Sequence, residues 1–205
     1  MPKSPRARQV SKADAMVRFV EAVIVQIGSK PPADISDQLI ADTAGMNRAS
    51  LYRYFGTRFG LFDAAAAELA RRWLILAETT VPIGPSRDGP PMSMDSFGPL
   101  FELSSKLFAI GGYLVTEDYR SDQVSENFTR IVDTWISQYE TAGIAPRMAR
   151  ALAHKNLGLN LARPMANPLV NLPIEDVLDV YALTLSEIRN FETMQSDLGW
   201  DRDSD

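Results

Sequence analysis

Apolar residues recur at intervals of three and four along most of the chain, and no stretch alternates with period two for long enough to predict a strand. Ala15, Phe19, Ala22, Val23 and Ile27 form the first stripe. Ser11 and Asp14 precede it as an S-x-x-D start signal, and the segment from Gly28 to Pro32 ends it. Asp34 or Ser36 can cap a second, short helix that turns Leu39, Ile40 and Ala44 inward and closes at Gly45. Asn47 can cap a third helix reaching about Phe55, and Thr57 a fourth, longer one reaching about Glu78. A proline- and glycine-rich linker over 81–94 follows. Behind it the spacing predicts helices over 95–113, 121–142 and 146–162, the last with proline at its first position. RPMANPLVNL (163–172) reads as a loop. A final helix from Pro173 carries Ile174, Val177, Leu178, Tyr181, Leu185, Ile188 and Phe191 on one stripe, with Glu175 and Asp176 at the positive end of its dipole. The pattern is that of an all-α chain without internal repeats.

Composition narrows this. The 205 residues are 45% hydrophobic, enough to bury a substantial core in one large domain or two modest ones. Cysteine is absent, which excludes disulfides, thiolate catalysis and thiolate zinc sites and fits a reducing cytoplasm. No apolar run approaches the ~20 residues of a membrane-spanning helix. MVRFVEAVIVQIG is interrupted by Arg18, Glu21 and Gln26, so no signal peptide is expected there. With one histidine and no phosphate-binding glycine loop, only carboxylate chemistry is left for an enzyme, and the acids are scattered as on solvated helix faces. No enzyme activity, cofactor or metal is expected.

Charge changes the picture by its position. The formal net charge is −5, yet residues 1–60 carry nine Lys/Arg against five Asp/Glu, and residues 61–205 carry twelve against twenty-one. A basic front on an acidic rear is the footprint of a polyanion-binding head. Within that front, AGMNRASLYRYFGTR (44–58) crowds arginines and aromatics behind an Ala-Gly corner. Three short helices with a tight Gly-centred turn between the second and third describe a helix-turn-helix. Gly45 supplies the left-handed conformation for the turn. With Leu51 and Phe55 pinned inward, Arg48, Ala49, Tyr52 and Arg53 are left on the outer face, because neighbours four apart share a face. In such a motif the residues at the start of the second helix meet base edges in the major groove.

SDQLIADTAGMNRASLYRYFGTRFGLF (36–62) resembles the DNA-binding segment of the TetR/AcrR family of transcription regulators. The likeness rests on Ser36 for a capping Thr, Ile40-Ala41, Ala44-Gly45, Met46-Asn47 for Val-Ser, Leu51-Tyr52, Tyr54-Phe55, Arg58 for the usual Lys, and Leu61. Ala49-Ser50 replaces the commoner Gly-Thr, and Phe59-Gly60 replaces an acidic pair. The resemblance implies that Ser36, Tyr52, Tyr54 and Arg58 touch phosphates, that Asn47, Arg48, Ala49 and Arg53 face bases, and that Ser50 serves either task. It implies an N-terminal helix-turn-helix domain over 11–60, joined by a long helix to a C-terminal ligand-binding and dimerisation domain over 61–196. Residues 1–10 are expected to be a flexible basic tail, or an arm on DNA through Lys3, Arg6, Arg8 and Lys12, and residues 197–205 an acidic tail.

The expected partners are a palindromic double-stranded DNA operator, a second copy of the chain and a small apolar or amphipathic effector, with no membrane. Phe101, Phe108, Phe128 and Trp135 are candidate pocket walls or simply core, and His154, Asn156 and Asn160 are candidate polar groups beside them. Ala149, Ala153, Tyr181, Leu185 and Ile188 are candidates for a dimer seam, the alternative being an intramolecular core. The resulting expectation is a ligand-released regulator, commonly a repressor in that family. The alternative is a dimeric helical scaffold that binds no specific DNA.

Overall fold

The computed structural model describes residues 11–79, 94–170 and 190–199, and within them it contains eight α-helices and one 3₁₀ turn and no strand. In order these are α1 (Lys12–Ile27), the 3₁₀ turn (Pro32–Asp34), α2 (Asp37–Ala44), α3 (Arg48–Phe55), α4 (Arg58–Thr79), α5 (Met94–Thr116), α6 (Asp122–Thr141), α7 (Pro146–Val170) and α8 (Phe191–Asp197). Local chemistry sets most of the boundaries. The Ser11, Ser36 and Ser121 hydroxyls accept from the amides of Asp14, Leu39 and Val124 at 3.1, 3.2 and 3.0 Å. Each such cap is worth about 1 kcal/mol. Thr57 Oγ1 does the same for the Gly60 amide at the start of α4, at 3.0 Å. Gly45 and Gly143 adopt left-handed φ values of 63° and 89° where α2 and α6 stop.

One boundary differs from expectation. The loop expected over 163–172 is helical as far as Val170, with Pro164 and Pro168 inside α7. A proline deletes one hydrogen bond and crowds the carbonyl four residues earlier, which kinks a helix without necessarily ending it. Pro99 lies inside α5 in the same way.

The helices enclose one continuous core running from Phe19 to Ala153. Helix α4 is its spine, burying Leu61, Phe62, Ala65, Ala66, Leu69, Ala70, Trp73 and Ala77 between α1 on one side and α5 and α6 on the other. In the body the aromatics interlock. Trp73 meets Trp135 edge-on at 5.9 Å, Trp135 stacks on Phe108 at 6.1 Å, and Phe108 meets Phe128 at 5.4 Å. The Phe128 ring sits on Gly111, where an added Cβ would come within 2.4 Å of it. The buried Trp73 indole donates to Ser104 Oγ at 2.9 Å, so its polar edge is satisfied.

Helix α7 closes the body against α5 and α6. Asn156 Nδ2 donates to the buried Tyr139 hydroxyl at 2.5 Å, and the buried Asn160 donates to the Asn156 carbonyl at 2.8 Å. Burial pushes the Tyr139 phenol up to about 12, against the opposing hydrogen bond from Asn156. Three of the sequence candidates on α7 are placed as follows. His154 is exposed, pointing off the face that carries Leu152, Ala153 and Asn160 inward. Ala149 and Ala153 are completely buried and belong to the core cluster of the body. Tyr181, Leu185 and Ile188 lie outside the described residues. The short α8 is tied to the α6–α7 turn by Gln195, whose buried Oε1 accepts from the Ala145 amide at 2.8 Å.

Candidate nucleic-acid interface

Helix α3 is seated by two side chains. Leu51 is fully buried, and Phe55 meets Phe19 of α1 edge-on at 6.1 Å. The turn before it is closed at Gly45, with the Met46 amide donating to Ala41 O at 2.9 Å. Asn47 caps the helix, its Oδ1 accepting from the Ala49 amide at 2.8 Å. That seating leaves Asn47, Arg48, Ala49, Tyr52 and Arg53 exposed on one short face, with Ser50 and Tyr54 half-buried at its edge. Ser36 is also exposed; its oxygen caps α2, and its O–H remains available to donate outward.

The arginines on this face rest on aromatic rings. Arg48 lies 5.9 Å from the centre of the Tyr52 ring, and Arg53 lies 4.6 Å from that of Tyr54. Arg53 also donates to the Tyr54 hydroxyl at 2.6 Å and to Ser50 Oγ at 3.3 Å. Both guanidiniums are thus held along the surface by neighbouring rings, and Arg53 additionally by neutral hydroxyls. An α-helix presenting two such cations beside an exposed tyrosine has the chemistry to meet phosphates and guanine edges.

Asp37, at the first position of α2, is the acid beside this face. It accepts from the Tyr52 hydroxyl and from Arg58, and lies 3.7 Å from Arg48. Burial pushes its carboxyl up, but hydrogen bonds from Tyr52 and Arg58 and the charges of Arg58 and Arg48 outweigh this and hold it below the usual range.

Arg58 is placed differently from the expectation of a phosphate contact. Its side chain is only 19% exposed, and all three guanidinium nitrogens donate inside the protein. Nη1 bonds Asp37 Oδ1 at 2.7 Å, Nη2 bonds the Pro32 carbonyl at 2.7 Å, and Nε bonds the Tyr113 hydroxyl at 3.1 Å. Its plane also lies over the Phe62 ring at 4.6 Å. The residue joins α4 to the 3₁₀ turn, α2 and α5 in place of an open phosphate-facing cation. As members of this joint neither Asp37 nor Tyr113 was expected from the sequence, where Tyr113 reads only as one of the aromatics of a pocket or core. The signal for Asp37 was an acid at a helix start within a basic segment; Tyr113, 55 positions from Arg58, had none.

Residues 24–65 match the family profile of the bacterial regulatory proteins of the tetR family. No curated protein matches the chain significantly. Among solved structures, the chain is similar to a TetR transcriptional regulator from Rhodococcus sp. RHA1, with 18% identity, a TM-score of 0.50, and coverage of 87% of this chain and 93% of that one. It is also similar to the TetR family repressor AlkX from Dietzia sp. strain DQ12-45-1b, implicated in biodegradation of n-alkanes, with 16% identity, a TM-score of 0.49, and coverage of 87% and 96%. A third is the multidrug binding protein EbrR complexed with imidazole, with 18% identity, a TM-score of 0.49, and coverage of 84% and 93%. At these identities the Rhodococcus likeness is one of fold.

Proposed function

We propose that this chain, whose residues 24–65 match the profile of the tetR family of bacterial regulatory proteins, is a regulator of that family that binds a twofold operator as a homodimer and is released from it by a small apolar or amphipathic effector. The observation that carries the reading is the exposed face of α3. Arg48, Ala49, Tyr52 and Arg53 stand free of the core while Leu51 and Phe55 hold the helix, so the side chains that would reach a major groove are displayed on a rigid element. In this reading Asn47, Arg48, Ala49 and Arg53 face bases, and Ser36, Tyr52 and Tyr54 touch phosphates. One such head covers a half-site, and two heads span ~34–36 Å, one helical turn of DNA. Residues 11–60 act as the head and 61–196 as the effector-binding and dimerising body, with repression as the regulatory outcome.

The test is selection of binding sites from random duplex DNA in ~150 mM salt, where non-specific phosphate attraction is suppressed. Tyr52→Ala and Arg53→Ala variants run alongside. The expected result is an enriched inverted repeat, lost with Tyr52→Ala and altered in sequence with Arg53→Ala. A bidentate Arg–guanine pair is worth about 1–3 kcal/mol of discrimination, so the altered position should stand out. A folded protein that enriches nothing would refute the reading and leave the helical scaffold in its place.

A further inference from the structure

We propose that Asp37 and Tyr113 are positioning residues for the DNA-facing helix, and that through them the body of the protein sets the order of that helix. The inference rests on the DNA-binding reading above. Tyr113 belongs to α5 in the body, and its hydroxyl accepts from Arg58 Nε at 3.1 Å. Arg58 in turn bonds Asp37 at 2.7 Å, and Asp37 accepts from the Tyr52 hydroxyl on α3. The same carboxylate lies 3.7 Å from Arg48. A continuous path of hydrogen bonds therefore runs from the body to Tyr52 on the DNA-facing surface, with Arg48 drawn to the same carboxylate by charge.

The path is built to transmit displacement. Its middle members are shielded, with side-chain exposures of 19% for Arg58 and 12% for Asp37, so water is poorly placed to substitute for either partner. Guanidinium is a planar fork whose donors point in fixed directions. With Pro32 O and Asp37 anchoring two of its nitrogens on the head, a shift of the Tyr113 hydroxyl tilts the fork against Asp37. Tyr113 itself is gripped by α4, its ring 6.0 Å from Phe59 and 5.3 Å from Phe62. Beyond it, Tyr119 packs on Phe59 at 5.6 Å and reaches Asp63 at 3.4 Å. The end of α5 and the first turns of α4 thus meet in one aromatic and polar joint directly behind the head. On the DNA side, Asp37 holds Tyr52 and Arg48 in place before DNA arrives, which lowers the ordering cost of binding. Anything that moves α5 then changes DNA affinity without touching DNA.

The experiment is a double-mutant cycle of Tyr113→Phe and Tyr52→Phe, read as affinity for the duplex that the wild-type chain enriches from random DNA. Tyr113→Phe keeps the ring contacts with Phe59 and Phe62 and removes only the hydroxyl; circular dichroism establishes that each variant is folded. The expected result is about fivefold weaker binding for Tyr113→Phe in the wild-type background, the lower end of coupling between sites. In the Tyr52→Phe background the same substitution should have a clearly smaller effect, because the Tyr52 branch is already cut and only the Arg48 branch is left. Equal or tighter binding by Tyr113→Phe, or the same factor in both backgrounds, would overturn the inference and leave the DNA-binding reading standing. No enrichment by the wild-type chain would overturn both.

Discussion

Replacing Arg58 by lysine separates two roles for that position. A lysine keeps the positive charge, so if the side chain served as a phosphate contact, folding stability would not change and DNA binding would change little. The structure gives a different expectation. Arg58 satisfies Asp37, the carbonyl of the buried Pro32 and the Tyr113 hydroxyl with three separate nitrogens. One ammonium cannot reach all three, and the strongest claim on it is Asp37. The Pro32 carbonyl then loses its charged donor, which costs about 1–3 kcal/mol for a buried group, and the half-buried Tyr113 hydroxyl loses about 1 kcal/mol more. Water reaching the joint will recover part of this, so a net loss of about 2–3 kcal/mol is expected. For a chain of this size each 1 kcal/mol lowers Tm by about 2–4 °C, which gives a fall of about 4–12 °C. Urea unfolding at pH 7 and a thermal melt measure it directly. An Arg58→Lys protein within about 0.5 kcal/mol of wild type, the range of an ordinary surface substitution, would refute the assignment of Arg58 to the joint.

Gly60 and Glu68 yield two further expectations. A Cβ at Gly60 would lie 2.4 Å from the Phe55 carbonyl, a backbone atom of α3 that cannot step aside as a side chain can. Gly60→Ala should therefore lose about 1–3 kcal/mol by overpacking despite the better helix propensity of alanine, and it should loosen α3, seen as faster amide exchange over 48–55. Glu68 is held down to about 2 by hydrogen bonds from Arg71, against burial, and by Arg72, which also pairs with Glu21 of α1. A depressed carboxyl contributes stability above its unfolded value near 4.5 and loses it as pH falls towards 2. Glu68→Gln should accordingly lower stability at neutral pH and flatten the pH dependence between about 4.5 and 2 in urea midpoints. Identical slopes for the two proteins would show that the network contributes nothing.

The boundaries of the head were legible in the chain because they depend on neighbours. A serine or asparagine oxygen three residues or fewer from an orphan amide, and a glycine free to take positive φ, act within a single turn, so Ser11, Ser36, Gly45 and Asn47 announce helix ends before any tertiary contact exists. The outward face of α3 follows from the same local rule, since pinning Leu51 inward determines which side Arg48 and Tyr52 occupy. Periodicity also marked Ala149 and Ala153 as packed positions, but a stripe carries no label for its partner; only the folded chain shows α7 packed against α5 and α6. The end of α7 escaped for a related reason, because proline lowers helix propensity locally while the surrounding structure decides whether the helix continues. Arg58 is the clearest case. Its charge and its place after α3 were plain in the sequence, and so was the type of every group it bonds. Those groups stand 21, 26 and 55 residues away, and only the packing of α2, α4 and α5 brings them to one guanidinium.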